Sequence, residues 1–264
     1  MPTLRVDDVE LFYETCGAGP SLVFLHGLGS NTRDWRLQLD VFAKAFHCVA
    51  FDLPGSGRSH SLTHPRGPFS IAGFARVLAA AMQRLGLAPA HVVGWSMGGM
   101  TGLQLALDAP QVVRSLAVVN AGASVGVHSA RDAVLLGVRA LVTTTLGPRG
   151  VARLVAPRLF PKPEQGSLRA AFIDQMSALD PRTYAAVSRA LLRWSVETRV
   201  ASLRCPVRFI CAEADYSPVS VKQALAARIP GATVVVVPDT HHALPVENPA
   251  AFNAALEAWL ATQA

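Results

Sequence analysis

Short, continuously apolar runs rich in β-branched residues recur along the chain at 22–25, 48–51, 91–94, 116–119, 207–211 and 233–237. Runs of this length without polar alternation predict strands buried on both faces of a parallel sheet. Between them the apolar positions take helical spacing, at 35–46, 71–85, 97–109, 219–229 and 249–260. The last of these is introduced by Asn248 and Pro249, a capping side chain followed by a residue whose fixed φ suits the first helical position. The stretch 4–15 predicts an antiparallel hairpin at one edge. Strand and helix in alternation predict an α/β fold, a doubly wound and mostly parallel sheet with helices on both faces.

The alternation breaks once. Between 125 and 204, helix-like sequence containing Pro148, Pro157, Pro161 and Pro163 replaces a short connection. Such length predicts a helical lid inserted over the sheet, with 1–124 and 205–264 forming the core domain. No segment repeats with a period of 20 to 50 residues, which excludes solenoids and propellers.

Composition narrows the class. Of 264 residues, 51% are hydrophobic and 16% charged, enough apolar surface to offset the entropy of ordering and too much for a disordered chain. The longest apolar runs fall far short of the roughly 20 residues a spanning helix needs, so no membrane span is expected. The start, Met-Pro-Thr-Leu-Arg-Val-Asp-Asp, lacks a basic segment followed by an apolar stretch, and cytoplasmic residence is expected. Cys48, Cys205 and Cys211 sit in or beside apolar runs and read as small buried hydrophobes.

Charge is unevenly spread. Residues 125–204 hold eleven arginines and one lysine against five acids, net +7, and the remainder carries −1. A basic lid would concentrate anionic substrates or dock an acidic carrier protein; the same arginines serve equally as solvated helix faces. No basic stripe interleaved with aromatics points to nucleic acid.

The chemistry is concentrated in Gly94-Trp95-Ser96-Met97-Gly98-Gly99, where a strand turns directly into a helix. Such a turn forces its central residue into strained dihedrals and presents the Ser96 hydroxyl at the carboxyl edge of the sheet. A serine hydroxyl needs a base and an orienting acid. Strand 207–211 leads to Asp215, with Glu213 as its nearest rival, and strand 233–237 leads to His241 and His242, either of which is placed to be the base. Gly55-Ser56-Gly57 is too short a pattern for a phosphate cradle and reads as a tight loop. Scattered histidines and cysteines without C-x-x-C spacing predict neither metal nor cofactor.

From about Leu11 to Leu260 the chain resembles the α/β-hydrolase family, in its serine esterase and non-haem haloperoxidase-like branch. The resemblance rests on His26-Gly27-Leu28-Gly29, Asp52-Leu53-Pro54-Gly55-Ser56-Gly57-Arg58-Ser59, the Ser96 turn, Asp215, and His242 followed by Glu247-Asn248-Pro249. It implies a Ser96–His242–Asp215 triad, because members carry an acidic residue five positions after the base. It also implies an oxyanion hole from the backbone N–H groups of Leu28 and Met97, and a loop-shaping role for His26. His241 and Ala212 depart from the pattern, since members have glycine at both places. Candidate pocket residues are Trp95, Phe172, Tyr184, Trp194 and His241. The implied activity is hydrolysis of carboxylic esters with small or medium acyl groups through an acyl-enzyme. Related members open enol-lactones, cleave carbon–carbon bonds, hydrolyse acyl-carrier-protein esters or transfer acyl groups to peroxide, and some proteins of this fold act as ligand receptors without catalysis.

Overall fold

The computed structural model describes residues 2–62, 69–126 and 130–263. Residues 127–129, part of the expected lid, lie outside this description. Among the described residues nine strands form one sheet: β1 (Thr3–Val6), β2 (Val9–Cys16), β3 (Ser21–Leu25), β4 (His47–Phe51), β5 (His60–Ser61), β6 (Ala90–Trp95), β7 (Val113–Val119), β8 (Val207–Ala212) and β9 (Thr233–Val237). They lie in the order β1-β2-β4-β3-β6-β7-β8-β9, with the short β5 beside β2. All pairings from β4 to β9 are parallel, and the β1–β2 hairpin is joined antiparallel through β2 to β4.

Alternate residues of each central strand feed opposite faces. Val23 and Leu25 join a core with Val49, Val92 and Leu116 beneath α2 (Ile71–Arg84) and α3 (Met97–Asp108). Leu22 and Phe24 join the other, with Ala50, Val93 and Ile210, beneath α1 (Arg36–Phe42) and α10 (Pro249–Leu260). Covering both faces is what makes the strands continuously apolar. The exception is β9, an equally apolar strand at the sheet edge, where Val236 is 38% exposed. The sequence predicts a buried strand there; having a neighbour on one side only leaves it half-covered.

Among the described residues four α-helices intervene between β7 and β8: α4 (Ala130–Thr145), α5 (Gly147–Leu159), α6 (Gly166–Ser177) and α7 (Pro181–Arg193). They carry a small core of their own, Val151, Ala152, Met176 and Tyr184, which packs against Leu28. The ends of this insertion meet: Ser124 and Ser195 form an antiparallel bridge, and the Val196 N–H donates to the Ala123 carbonyl at 2.8 Å. After β8 come α8 (Val219–Ala226) and, after β9, the single turn α9 (Leu244–Glu247). The periodicity predicts α8 to run to 229, but its last residues form a turn of i to i−3 bonds before Pro230, which disfavours helix in the residue preceding it. Asn248 caps α10 by accepting from the Ala251 N–H at 3.2 Å.

All four cysteines are free, and Cys48 and Cys211 are buried. Burial pushes their thiols up to about 12 and about 11 respectively, so neither is a ready thiolate. Among the described residues no helix is long and apolar enough to cross a membrane.

Candidate active site

Ser96 is the single residue between β6 and α3, and it adopts φ +54°, ψ −117°. Its neighbours explain how a serine is held there. A Cβ on Gly94 would lie 2.3 Å from the Gly98 carbonyl oxygen, and one on Gly98 would lie 2.0 Å from that of Leu25. Only glycine lets α3 start this close to β3 and β6. Ser96 itself is fixed by its N–H donating to Val119 at 2.8 Å and its carbonyl accepting from Met100 at 3.1 Å.

The loop after β3 passes directly over this turn, with the Cβ direction of Gly27 3.4 Å from the Ser96 Cβ. His26 shapes it. The fully buried imidazole accepts the Leu53 N–H at Nε2 (2.9 Å), which leaves Nδ1–H to donate to the Gly27 carbonyl (2.7 Å). Burial lowers its affinity for a proton, against the opposing pull of Asp52. The Met97 N–H opens α3 and the Leu28 N–H lies on the adjoining loop; among the described residues neither has a backbone acceptor. A backbone N–H without an acceptor is a group able to receive an anionic oxygen.

The loop that carries Asp215 follows β8, and the loop that carries His242 follows β9. They are laced together by Glu213 N–H to Val237 O (3.1 Å) and Ala214 N–H to Thr240 O (3.0 Å). Asp215, with its side chain 2% exposed, sets Oδ1 2.5 Å from His242 Nδ1. His242 Nε2 lies 3.0 Å from Ser96 Oγ. Glu213 instead accepts the Asp239 N–H at 3.0 Å. Burial, the strongest single influence on Asp215, opposes its ionisation, but the charges and hydrogen bonds of His242 and Lys222 together outweigh it and hold the carboxyl below its ordinary range.

Three partners of this set are not singled out by sequence reasoning. Lys222 of α8, 1% exposed, donates through Nζ to Asp215 Oδ2 and to the Ser217 carbonyl at 2.8 Å. The Tyr216 ring stacks on the His242 ring, centroids 4.2 Å apart and 19° from parallel. Asn120, one residue past β7, accepts the Ala212 N–H through Oδ1 (2.7 Å) and donates through Nδ2 to the His242 carbonyl (3.0 Å), tying β8 to the His242 loop. One signal was available for the lysine: with Leu225 and Ala226 it shares the buried face of α8 at i, i+3 and i+4, a place for an apolar residue unless a charge is paired there.

The five pocket candidates go to several places. Trp95 donates its indole N–H to the His242 carbonyl at 2.7 Å. His241 is bound to Glu247 twice, through Nδ1 (2.7 Å) and its backbone N–H (2.6 Å), and Gln165 of the insertion donates to the same carboxylate at 3.1 Å. Trp194 donates to Gln104 (2.7 Å), Phe172 packs edge-on against Phe160, and Tyr184 is buried with its hydroxyl accepting from Arg139 (3.3 Å). A cavity of about 50 Å³ beside the loop after β3 has a different lining, including Leu28, Leu136, Arg139, Ser188, Leu191 and Leu192. Among the described residues the buried Ser188 hydroxyl has no hydrogen-bond partner. Among the described residues no group of three or more His, Cys, Asp or Glu side chains is placed to hold a metal ion.

Comparison with known proteins agrees with this architecture. Residues 22–255 match the model of the alpha/beta hydrolase family. A putative carbamate hydrolase, RutD, of Azorhizobium caulinodans is 32% identical over 96% of each chain. The 3-oxoadipate enol-lactonase 2 of Acinetobacter baylyi is 30% identical over 97% of this chain and 95% of its own. The crystal structure of the enol-lactonase from Burkholderia xenovorans LB400 superposes with a TM-score of 0.89 at 26% identity, covering 98% of this chain and 100% of that one. With a family match over residues 22–255 and relatives at 30% identity or more along almost its whole length, the chain belongs to the alpha/beta hydrolase family.

Proposed function

We propose that this protein is a serine hydrolase that cleaves carboxylic esters of small or medium acyl groups through an acyl-enzyme. The observation that carries the reading is the unbroken contact from Ser96 Oγ through His242 to Asp215. His242 takes the Ser96 proton as Oγ attacks the carbonyl carbon, and the resulting oxyanion is received by the Leu28 and Met97 N–H groups. Collapse expels the alcohol, which takes its proton from His242. Water, deprotonated by the same imidazole, then releases the acid and restores Ser96. Asp215 orients the imidazole and stabilises the imidazolium. Helices α4 to α7 act as a lid, and the cavity of about 50 Å³ between them and Leu28 suits a short acyl or alkyl group.

Arg139 favours a second reading on the same machinery. It lies on that cavity, and among the described residues its guanidinium bonds to the Tyr184 hydroxyl and to no carboxylate. A substrate carrying its own carboxylate, as an ester or as a lactone of the kind named in the enol-lactonase relatives, would supply the missing anion. Carbamates, named in the other relative, present the same type of carbonyl. The position of Arg139 on a small cavity supports a small carboxylate more than docking of an acidic carrier protein.

Fluorophosphonate labelling, with a panel of p-nitrophenyl esters, lactones and carbamates, tests the reading. Labelling of Ser96 and ester turnover abolished in Ser96→Ala are expected. Turnover that survives Ser96→Ala overturns the mechanism, and an unlabelled, inactive protein would be a ligand receptor of this fold.

A further inference from the structure

Lys222 is a buried cation inside the site, and the mechanism above makes no use of it. It sits 1% exposed on α8, with its ammonium on the oxygen of Asp215 that does not face His242 and on the Ser217 carbonyl. Asp215 is therefore gripped from both sides, one oxygen by the imidazole and the other by the ammonium. Burying an ammonium is costly unless it is paired, and its partner here is the acid of the proposed triad.

We propose that Lys222 is a positioning residue that fixes the rotamer of Asp215 and tempers its charge, so that His242 stays an unprotonated base to lower pH than a lone buried carboxylate would allow. This rests on the serine hydrolase reading of the site. The physical reason is a sum of opposed fields. A carboxylate in contact favours imidazolium, and a cation one carboxylate-width further away opposes it; in a buried site both are little screened.

The other ionisable groups around the site leave this balance in place. After β9, Asp239 is paired with Lys162, and Glu247 at the end of α9 is paired with His241. Burial keeps the Cys211 thiol, on β8, neutral. Glu213 is committed to the Asp239 N–H. Arg139, Arg158 and Tyr184 act from the insertion on the hydroxyl of Tyr216, the ring stacked over the imidazole.

The test is the acid limb of the pH–kcat/KM profile for a neutral p-nitrophenyl ester, followed in parallel by the pH dependence of fluorophosphonate labelling. Lys222→Met should move the acid limb up by about one pH unit or more, with activity recovering toward a plateau at high pH. Lys222→Arg, which keeps a cation, should leave the limb in place. A loss uniform in pH, with the limb unmoved in Lys222→Met, overturns the proposal. Should Lys222→Met not fold, Asp215→Asn is compared with Asp215→Asn/Lys222→Met, which removes both charges. An uncompensated ammonium should place the labelling limb of the single variant below that of the double; coincident limbs overturn the proposal. Absence of labelling in the wild type at every pH would instead sink the serine hydrolase reading itself.

Discussion

The indole N–H of Trp95 donates to the main-chain carbonyl of His242 at 2.7 Å. The residue preceding Ser96 thus holds the loop that carries His242, 146 positions from Ser96 along the chain. Asn120 donates to the same carbonyl at 3.0 Å, so the loop is held from two strands. Trp95→Phe keeps the ring's packing and removes one donor. A single hydrogen bond of this kind contributes about 1 kcal/mol, so kcat should fall about fivefold with KM little changed; steady-state kinetics decide it, and an unaltered kcat would mean that Asn120 suffices.

Gly98 and Gly137 should respond in opposite directions to alanine. The new methyl at 98 would lie 2.0 Å from the Leu25 carbonyl oxygen, whereas at 137, inside α4, it meets nothing within 4 Å. Gly98→Ala should cost about 3 kcal/mol or more, and Gly137→Ala should add about 0.5–1 kcal/mol through helix propensity. Urea midpoints measure both.

His26 links stability to pH. It is buried neutral, accepting the Leu53 N–H at Nε2, where a proton would convert the acceptor into a second donor. Burial lowers its folded value, while the unfolded chain takes up the proton near the ordinary value of about 6.5. Its contribution is therefore complete above about pH 6.5 and is lost as pH falls from there toward the folded value. His91, also lowered by burial, adds to the same slope. Thermal midpoints between pH 8 and 5 should decline in the wild type and decline less steeply in His26→Asn; equal slopes would assign the effect elsewhere.

Arg139 should confer charge selectivity. Hydrogen bonds to charged groups contribute about 1.5–3 kcal/mol, so Arg139→Gln should reduce kcat/KM for a carboxylate-bearing ester about tenfold or more and leave the uncharged analogue nearly untouched. Raising salt should slow only the charged substrate in the wild type. Equal salt dependence for both esters would remove Arg139 from recognition.

Much of this was legible in the chain because it is written locally. The strands declare themselves by unbroken apolar runs, the turn at Ser96 by glycines on both sides, and α10 by Asn248 and Pro249. What was not legible depends on contacts distant in sequence. The four valines of β9 look like those of a buried strand, and only the strand order puts them at an edge. Lys222 reads as a stray charge on an apolar helix face until Asp215 is found beside it. Asn120 is one polar residue after a strand, and its task becomes visible only when β8 and the His242 loop arrive on either side. The small cavity is likewise lined from α4, α7 and the loop after β3, a conjunction that no local pattern encodes.

The bridge between Ser124 and Ser195 makes the four-helix segment a loop with coincident roots. Its length and contents can change without shifting the spacing of β7 and β8, which remain neighbours regardless of what hangs between them. Sequence variation can accumulate there while Ser96, Asp215 and His242, all outside the segment, stay put. For engineering, those two serines are the natural seams at which a segment from a relative could be exchanged.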